Sequence, residues 1–147
     1  MPADLLAQIC AHGEVAYPHE GAGFLLGSAD RAGRKLISIL PAENASEQGA
    51  RHHRYLLGPE QMRQAEETAQ RLGLDLIGIF HSHPDHSAQP SEFDREWALP
   101  WFSYVITSVE QGKATDSRSW RLADDRSTFN EESIAETNDS LIDMVKE

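Results

Sequence analysis

Leu74-Asp75-Leu76-Ile77-Gly78-Ile79-Phe80-His81-Ser82-His83-Pro84 is the stretch from which the rest of the chain can be ordered. Its run of Leu, Ile and Phe reads as a strand over Leu74–His83 that leads straight into a His-Ser-His tripeptide. Upstream, Pro59 suits the first position of a helix and Glu60 its first turn. Met62, Ala65, Ala69 and Leu72 form the apolar stripe of that helix, and Gly73 ends it. Downstream, a polar loop leads to a short helix from Ser91 to about Leu99. Phe102–Val109 and Ser117–Leu122 then read as a hairpin around Gln111-Gly112.

The N-terminal third follows the same alternation. Residues 4–17 read as a helix: Asp4 is placed to cap it, Leu5, Leu6, Ile9 and Cys10 recur at helical spacing, Gly13 weakens its end and Pro18 stops it. Gly23–Gly27 reads as a short buried strand, and Lys35–Leu40 as a second one after a turn over Asp30–Gly33. Residues 41–50 are polar loop, and 51–57 read as a short edge strand. Strands mixed with helices through mostly short connections predict an α/β protein, an α+β sandwich with a single mixed sheet flanked by helices. The domain is expected over residues 1–123. Residues 124–147 hold eight acids and two bases, and are expected to be a weakly docked helix over 131–146 or partly disordered.

Composition removes several function classes. The 147 residues are enough for one ordinary domain with a real core. A single cysteine, Cys10, excludes a disulfide framework and multi-cysteine metal sites; it is expected in the core of the first helix. No apolar run approaches a membrane span, and Met1-Pro2-Ala3-Asp4 offers no basic region ahead of an apolar one, so the expectation is a cytoplasmic domain without membrane contact. The formal net charge of −11 and the lack of a basic stripe argue against a nucleic-acid partner. An acidic excess of this size also suits a protein working where salt screens charge strongly.

The chemistry gathers around the two histidines. Side chains alternate along a strand, so His81 and His83 project to the same side, close enough to share one metal. Asp94, eleven residues beyond His83, falls in the first turn of the next helix, where its carboxylate can swing back as a third ligand. Two imidazoles and one carboxylate leave a fourth tetrahedral position for water, as in catalytic zinc sites. Each residue also has an ordinary reading: a strand-end histidine at the surface, Ser91 and Asp94 as a capping box, Glu20 as the end of a helix-to-strand loop. The combination His-x-His-x7-Ser-x2-Asp is expected by chance in roughly 1 in 500 chains of this composition.

His81-Ser82-His83-Pro84, seven residues to Ser91, then Asp94, resembles the signature of the JAMM (MPN-plus, Mov34/PAD-type) metalloproteases. Glu20-Gly21-Ala22-Gly23-Phe24-Leu25-Leu26-Gly27 is similar to that family's upstream Glu-x-x-Gly-x-Leu-x-Gly context. The resemblance covers residues 5–123 and implies the family's cytidine-deaminase-like architecture. It implies His81, His83 and Asp94 as ligands of one Zn2+ per chain, Glu20 as general acid/base, and Ser91 as the hydroxyl that stabilises the oxyanion. Zinc lowers the pKa of a bound water to about 7, which makes hydrolysis possible at neutral pH.

The same resemblance implies hydrolysis of a peptide or isopeptide bond after the C-terminal Gly-Gly of a ubiquitin-like protein. Being close to the minimal domain, the chain looks most like small stand-alone bacterial members that process ubiquitin-like sulfur carriers. Such a carrier, or its C-terminal peptide, is the implied partner. A non-catalytic MPN-type binding or scaffold module is the alternative; it would usually have lost ligands, whereas all five positions are present. A RadC-type, DNA-associated relative conflicts with the acidic charge, and a zinc deaminase with the lone cysteine. A phage-type cell-wall peptidase stays open. Elsewhere, His12 and His19 read as exposed, and Asp85 and His86 as a solvated loop over the metal. His52, His53 and Tyr55 could meet an extended peptide by strand addition, and Trp97, Trp101 and Trp120 read as core or rim packing.

Overall fold

The stretch that opens the sequence argument is β3 (Asp75–Pro84), and its residues after Asp75 are buried throughout. The structure, a computed structural model, describes residues 1–31, 33–42 and 57–135. Around β3 lie β1 (Ala22–Asp30), β2 (Gly33–Ala42), β4 (Ser103–Glu110), β5 (Lys113–Leu122) and β6 (Phe129–Glu132). They form one six-stranded sheet in the order β2-β1-β3-β4-β5-β6. Only β3 and β4 are parallel; the other neighbours are antiparallel. The helices are α1 (Ala3–Ala16), α2 (Pro59–Leu72) and α3 (Glu92–Trp97), the last lying within the crossover that makes β3 and β4 parallel. The expected single mixed sheet with flanking helices is what the chain forms.

Two apolar layers fix the helices on opposite faces of the sheet. Ile9 of α1 clusters with Leu25, Leu36, Ile77 and Val105, and Ala65 and Ala69 of α2 cluster with Phe24, Leu26, Leu76 and Tyr104. Consecutive residues such as Phe24 and Leu25 divide between the two clusters because strand side chains alternate. Gly78 allows β3 and β4 to pair in register. A Cβ at this position would lie 2.0 Å from the Ser103 carbonyl oxygen, and a backbone atom cannot yield that distance.

Several local expectations shift. Asp4 does not cap α1: the helix follows Pro2 with no side-chain cap, and Asp4 sits inside its first turn, where a carboxylate still favours the helix dipole. Gly13 lies in the last turn of α1, as expected, and is buried there: a Cβ would come within 3.1 Å of Ser82 and Val109, so glycine also lets α1 lie close on β3 and β4. The short helix ends at Trp97, and β1 and β2 run longer than the apolar runs that announced them. The expected edge strand at 51–57 falls, except for Leu57, outside the described residues.

The largest difference lies past residue 123. Residues 129–132 are a sixth strand paired with β5 rather than the start of a helix over 131–146. Phe129 packs edge-on against Tyr104 with ring centroids 6.1 Å apart, and Glu132 accepts from Ser119 Oγ at 2.8 Å and meets Arg121 at 2.7 Å. The edge of β5 outcompetes helix formation because it offers Phe129 an aromatic neighbour and Glu132 two donors. Residues 136–147 lie outside the described part of the chain.

Candidate metal centre

β3 delivers two of the three donors. His81 is aligned with Ala22 of β1 and Ile106 of β4, and is 1 % exposed; His83 follows two residues on, at 7 %. Ser82, between them, points the other way. Its Oγ accepts from Gly21 N–H at 2.8 Å and its N–H donates to Gly21 O at 2.9 Å. This double tie pins the segment that carries Glu20. Glu20 is buried, with Oε1 4.0 Å from His81 Nδ1, so the upstream glutamate and the histidines meet although sixty-one residues separate them.

α3 delivers the third donor. Ser91 is its N-cap: Asp94 N–H donates to Ser91 Oγ at 3.1 Å, and Ser91 N–H donates to Asp94 Oδ2 at 2.8 Å. The capping box is thus formed, and the same carboxylate also faces both histidines. Asp94, 4 % exposed, places Oδ2 3.1 Å from His83 Nε2 and Oδ1 3.6 Å from His81 Nε2. The candidate ligand atoms of His81, His83 and Asp94 all lie within 4.8 Å of one another.

The electrostatics match a cation. Burial pushes His81 down to about 4, against a smaller upward pull from Asp94, so its imidazole is neutral at pH 7. Burial alone would raise the Asp94 carboxyl, but His81, His83 and the Ser91 backbone together hold it down at about 2. His83 is held from both sides: its Nδ1 donates to Ser87 O at 2.8 Å, since a carbonyl only accepts, and its Nε2 faces Asp94 Oδ2 at 3.1 Å. Two imidazoles and a carboxylate are donors that zinc accepts, and the set fits it.

A cavity of about 360 Å³ opens beside these donors, lined by Glu20, His83, His86, Ser91, Phe93 and Asp94 among others. A second cavity of about 320 Å³, between Arg34, Ile77 and Ile134, lies away from the histidines. Ser91 is exposed, and its Oγ already accepts from Asp94 N–H, which leaves its own hydrogen to donate into the cavity. All five expected site residues thus come together around one end of β3.

The neighbouring expectations fare unevenly. His12 is half-buried rather than exposed: it packs edge-on to Phe80 at 5.5 Å, and burial lowers its pKa. His19 is exposed. Asp85 does not belong to a merely solvated loop. It accepts from Tyr17 OH at 2.7 Å and from Gln111 N–H at 2.8 Å. Cys10 is half-buried, its Sγ 3.6 Å from Ser117 Oγ. Trp97 and Trp101 are 57 % and 50 % exposed, at the rim, and Arg34 lies over the Trp101 ring at 4.3 Å. His52, His53 and Tyr55 fall outside the described residues.

A family model of prokaryotic homologues of the JAB domain matches residues 2–123. The chain belongs to that family. Among curated relatives of this JAB-domain protein, a desampylase of Haloferax volcanii is 34 % identical over 63 % of this chain and 65 % of its own length. A probable TtuB-protein conjugate cleaving protease of Thermus thermophilus is 31 % identical over 78 % of this chain and 72 % of its own. The chain thus spans just under two thirds of the desampylase. A protein of Salinibacter ruber, solved in solution, shares 42 % identity with a TM-score of 0.73, over 94 % of this chain and 92 % of that one. A JAB1/MPN domain protein of Archaeoglobus fulgidus, 19 % identical with a TM-score of 0.57 over 90 % and 94 %, shows the same fold. Among the described residues, no helix of this JAB-domain chain is long and apolar enough to cross a membrane.

Proposed function

We propose that this JAB-domain protein is a zinc metallopeptidase that hydrolyses the peptide or isopeptide bond after the C-terminal Gly-Gly of a ubiquitin-like protein, a sulfur carrier in particular. The observation that carries the reading is the convergence of His81, His83 and Asp94 within 4.8 Å, with Glu20 and Ser91 on the same cavity. The relatives named for conjugate cleavage support the substrate class.

His81, His83 and Asp94 would hold the zinc. When bound, zinc supplies Lewis acidity, which makes water nucleophilic at neutral pH and polarises a carbonyl. Glu20, fixed behind the histidines by the Gly21–Ser82 pair, accepts the proton of the attacking water and returns it to the leaving amine. Ser91, its oxygen already occupied by Asp94 N–H, donates its hydrogen to the developing oxyanion, a contact worth about 3 kcal/mol in comparable sites.

The test is intact-mass measurement of zinc-loaded protein incubated with sulfur carriers extended past their Gly-Gly, beside Glu20→Ala. Loss of the extension with the wild type alone is the expected outcome. No loss while zinc is bound would move the substrate to another peptide, including cell-wall peptides. No loss and no zinc binding would make the domain a scaffold.

A further inference from the structure

The loop after Pro84 is held by side chains from two strands that contribute no donor to the metal centre. Its three consecutive carbonyls each have an assigned side-chain donor. Ser108 Oγ of β4 donates to His86 O at 2.6 Å, His83 Nδ1 to Ser87 O at 2.8 Å, and Trp120 Nε1 of β5 to Ala88 O at 2.9 Å. Asp85, ahead of them, has φ 58°, donates its N–H to Val109 O at 2.8 Å, and is tied by its carboxylate to Gln111 and Tyr17. The middle carbonyl is the one that decides which nitrogen of His83 carries the hydrogen.

We propose that Ser108 and Trp120 are positioning residues for His83: by fixing the carbonyls on either side of Ser87 O, they keep that oxygen on Nδ1–H and so keep Nε2 directed at Asp94 and the metal. The reasoning is geometric. A loop carbonyl rotates with its peptide plane, and a shift of either flanking plane swings Ser87 O away from the imidazole. His83 then loses the contact that selects its tautomer, and a fraction of rings carry the hydrogen on Nε2, where it blocks ligation. Ser108 is 2 % exposed, so no solvent competes for its hydroxyl, and Trp120 is half-buried along its ring. The proposal rests on the metal-site reading above, but it concerns a hydrogen position that exists without metal.

The experiment uses the full chain with Trp120→Phe, which keeps the ring and deletes only the N–H, Ser108→Ala, and both together. Two readouts are taken. Long-range 15N–1H correlation spectra of the metal-free protein report which His83 nitrogen is protonated, and chelator competition reports zinc affinity. Wild type should show Nδ1–H. The variants should show a mixed tautomer and bind zinc about 10- to 100-fold more weakly, the range for loss of an outer-sphere partner. Thermal midpoints taken alongside separate this from general loosening, which lowers stability without changing the tautomer. An unchanged Nδ1–H signal with unchanged zinc affinity in the double variant would overturn the proposal. If wild type fails to bind zinc, the metal-site reading falls, and the tautomer spectra alone then decide the role of Ser108 and Trp120.

Discussion

At the scale of single residues, the proposed mechanism separates groups that hold from groups that react. His83→Ala removes a donor and should lower zinc stoichiometry well below one per chain, measured by metal analysis after gel filtration. Glu20→Ala leaves the three donors in place, so zinc should stay near one per chain while turnover falls by at least about 100-fold, on the scale of a lost general base. Acid should act through the same residues. His81, lowered by burial to about 4, resists a proton that the unfolded chain takes up near 6.5, and Asp94, held at about 2, resists one taken up near 3.8. Both favour the fold at neutral pH, and both contributions are lost on acidification. Denaturation midpoints of chelator-treated protein should therefore decline from about pH 6.5 downwards, as linkage requires. A flat midpoint to pH 4 would contradict the burial of a neutral His81.

The same residues show what the sequence makes legible. The pairing of His81 with His83 follows from the two-residue period of a strand, and the reach of Asp94 from its place in the first turn of a capped helix. The ties that arm the site do not follow from any local rule. Ser82 to Gly21, Ser108 to His86 and Trp120 to Ala88 join residues far apart in sequence, and only the sheet order brings them together. Nor does a polar loop such as 85–88 announce that its carbonyls are claimed.

At the scale of elements, strands with strong apolar runs were readable and the marginal one was not. β3 and β4 carry their own signal in Ile-Gly-Ile-Phe and Tyr-Val-Ile. β6 is Phe-Asn-Glu-Glu, a composition that favours no strand by itself; it forms because β5 presents an open edge and Tyr104 an aromatic face. Its contribution can be measured. Removing residues 129–147, which spares Arg126 and its bonds to Arg95 O, Glu96 O and Ala98 O, strips β6 from the sheet and uncovers Leu122 and Tyr104. The thermal midpoint should drop by several degrees, in keeping with about 1–2 kcal/mol for a half-buried aromatic strand. Zinc stoichiometry should hold, because His81, His83 and Asp94 lie on other elements. An unchanged midpoint would mean that β6 adds nothing to the sheet.

At the scale of the whole molecule, charge is the feature that composition states and topology distributes. With a formal net charge of −11, like-charge repulsion opposes compaction, and salt should relieve it. The thermal midpoint is expected to rise between low and molar salt, and a midpoint that stays level or falls would remove screening as a stabilising influence. The exposed ion pairs of α2, Arg63 with Glu60 and Glu67, work in the opposite sense, but pairs so exposed contribute little. Net repulsion therefore sets the sign.

The shared carboxylate of Asp94 has a practical corollary. A six-residue helix is too short to persist by its own hydrogen bonding, and α3 draws its first turn from the atom that also faces the histidines. If Asp94 holds zinc as proposed, the charge on that oxygen changes when the ion leaves, and the turn is expected to shift together with Trp97, whose ring lies 6.0 Å from Phe93 on the same helix. On that reading the protein carries an optical gauge of its own loading. Its tryptophan emission should shift on chelation and return with one equivalent of zinc, while Trp97→Phe should silence most of that signal without emptying the site.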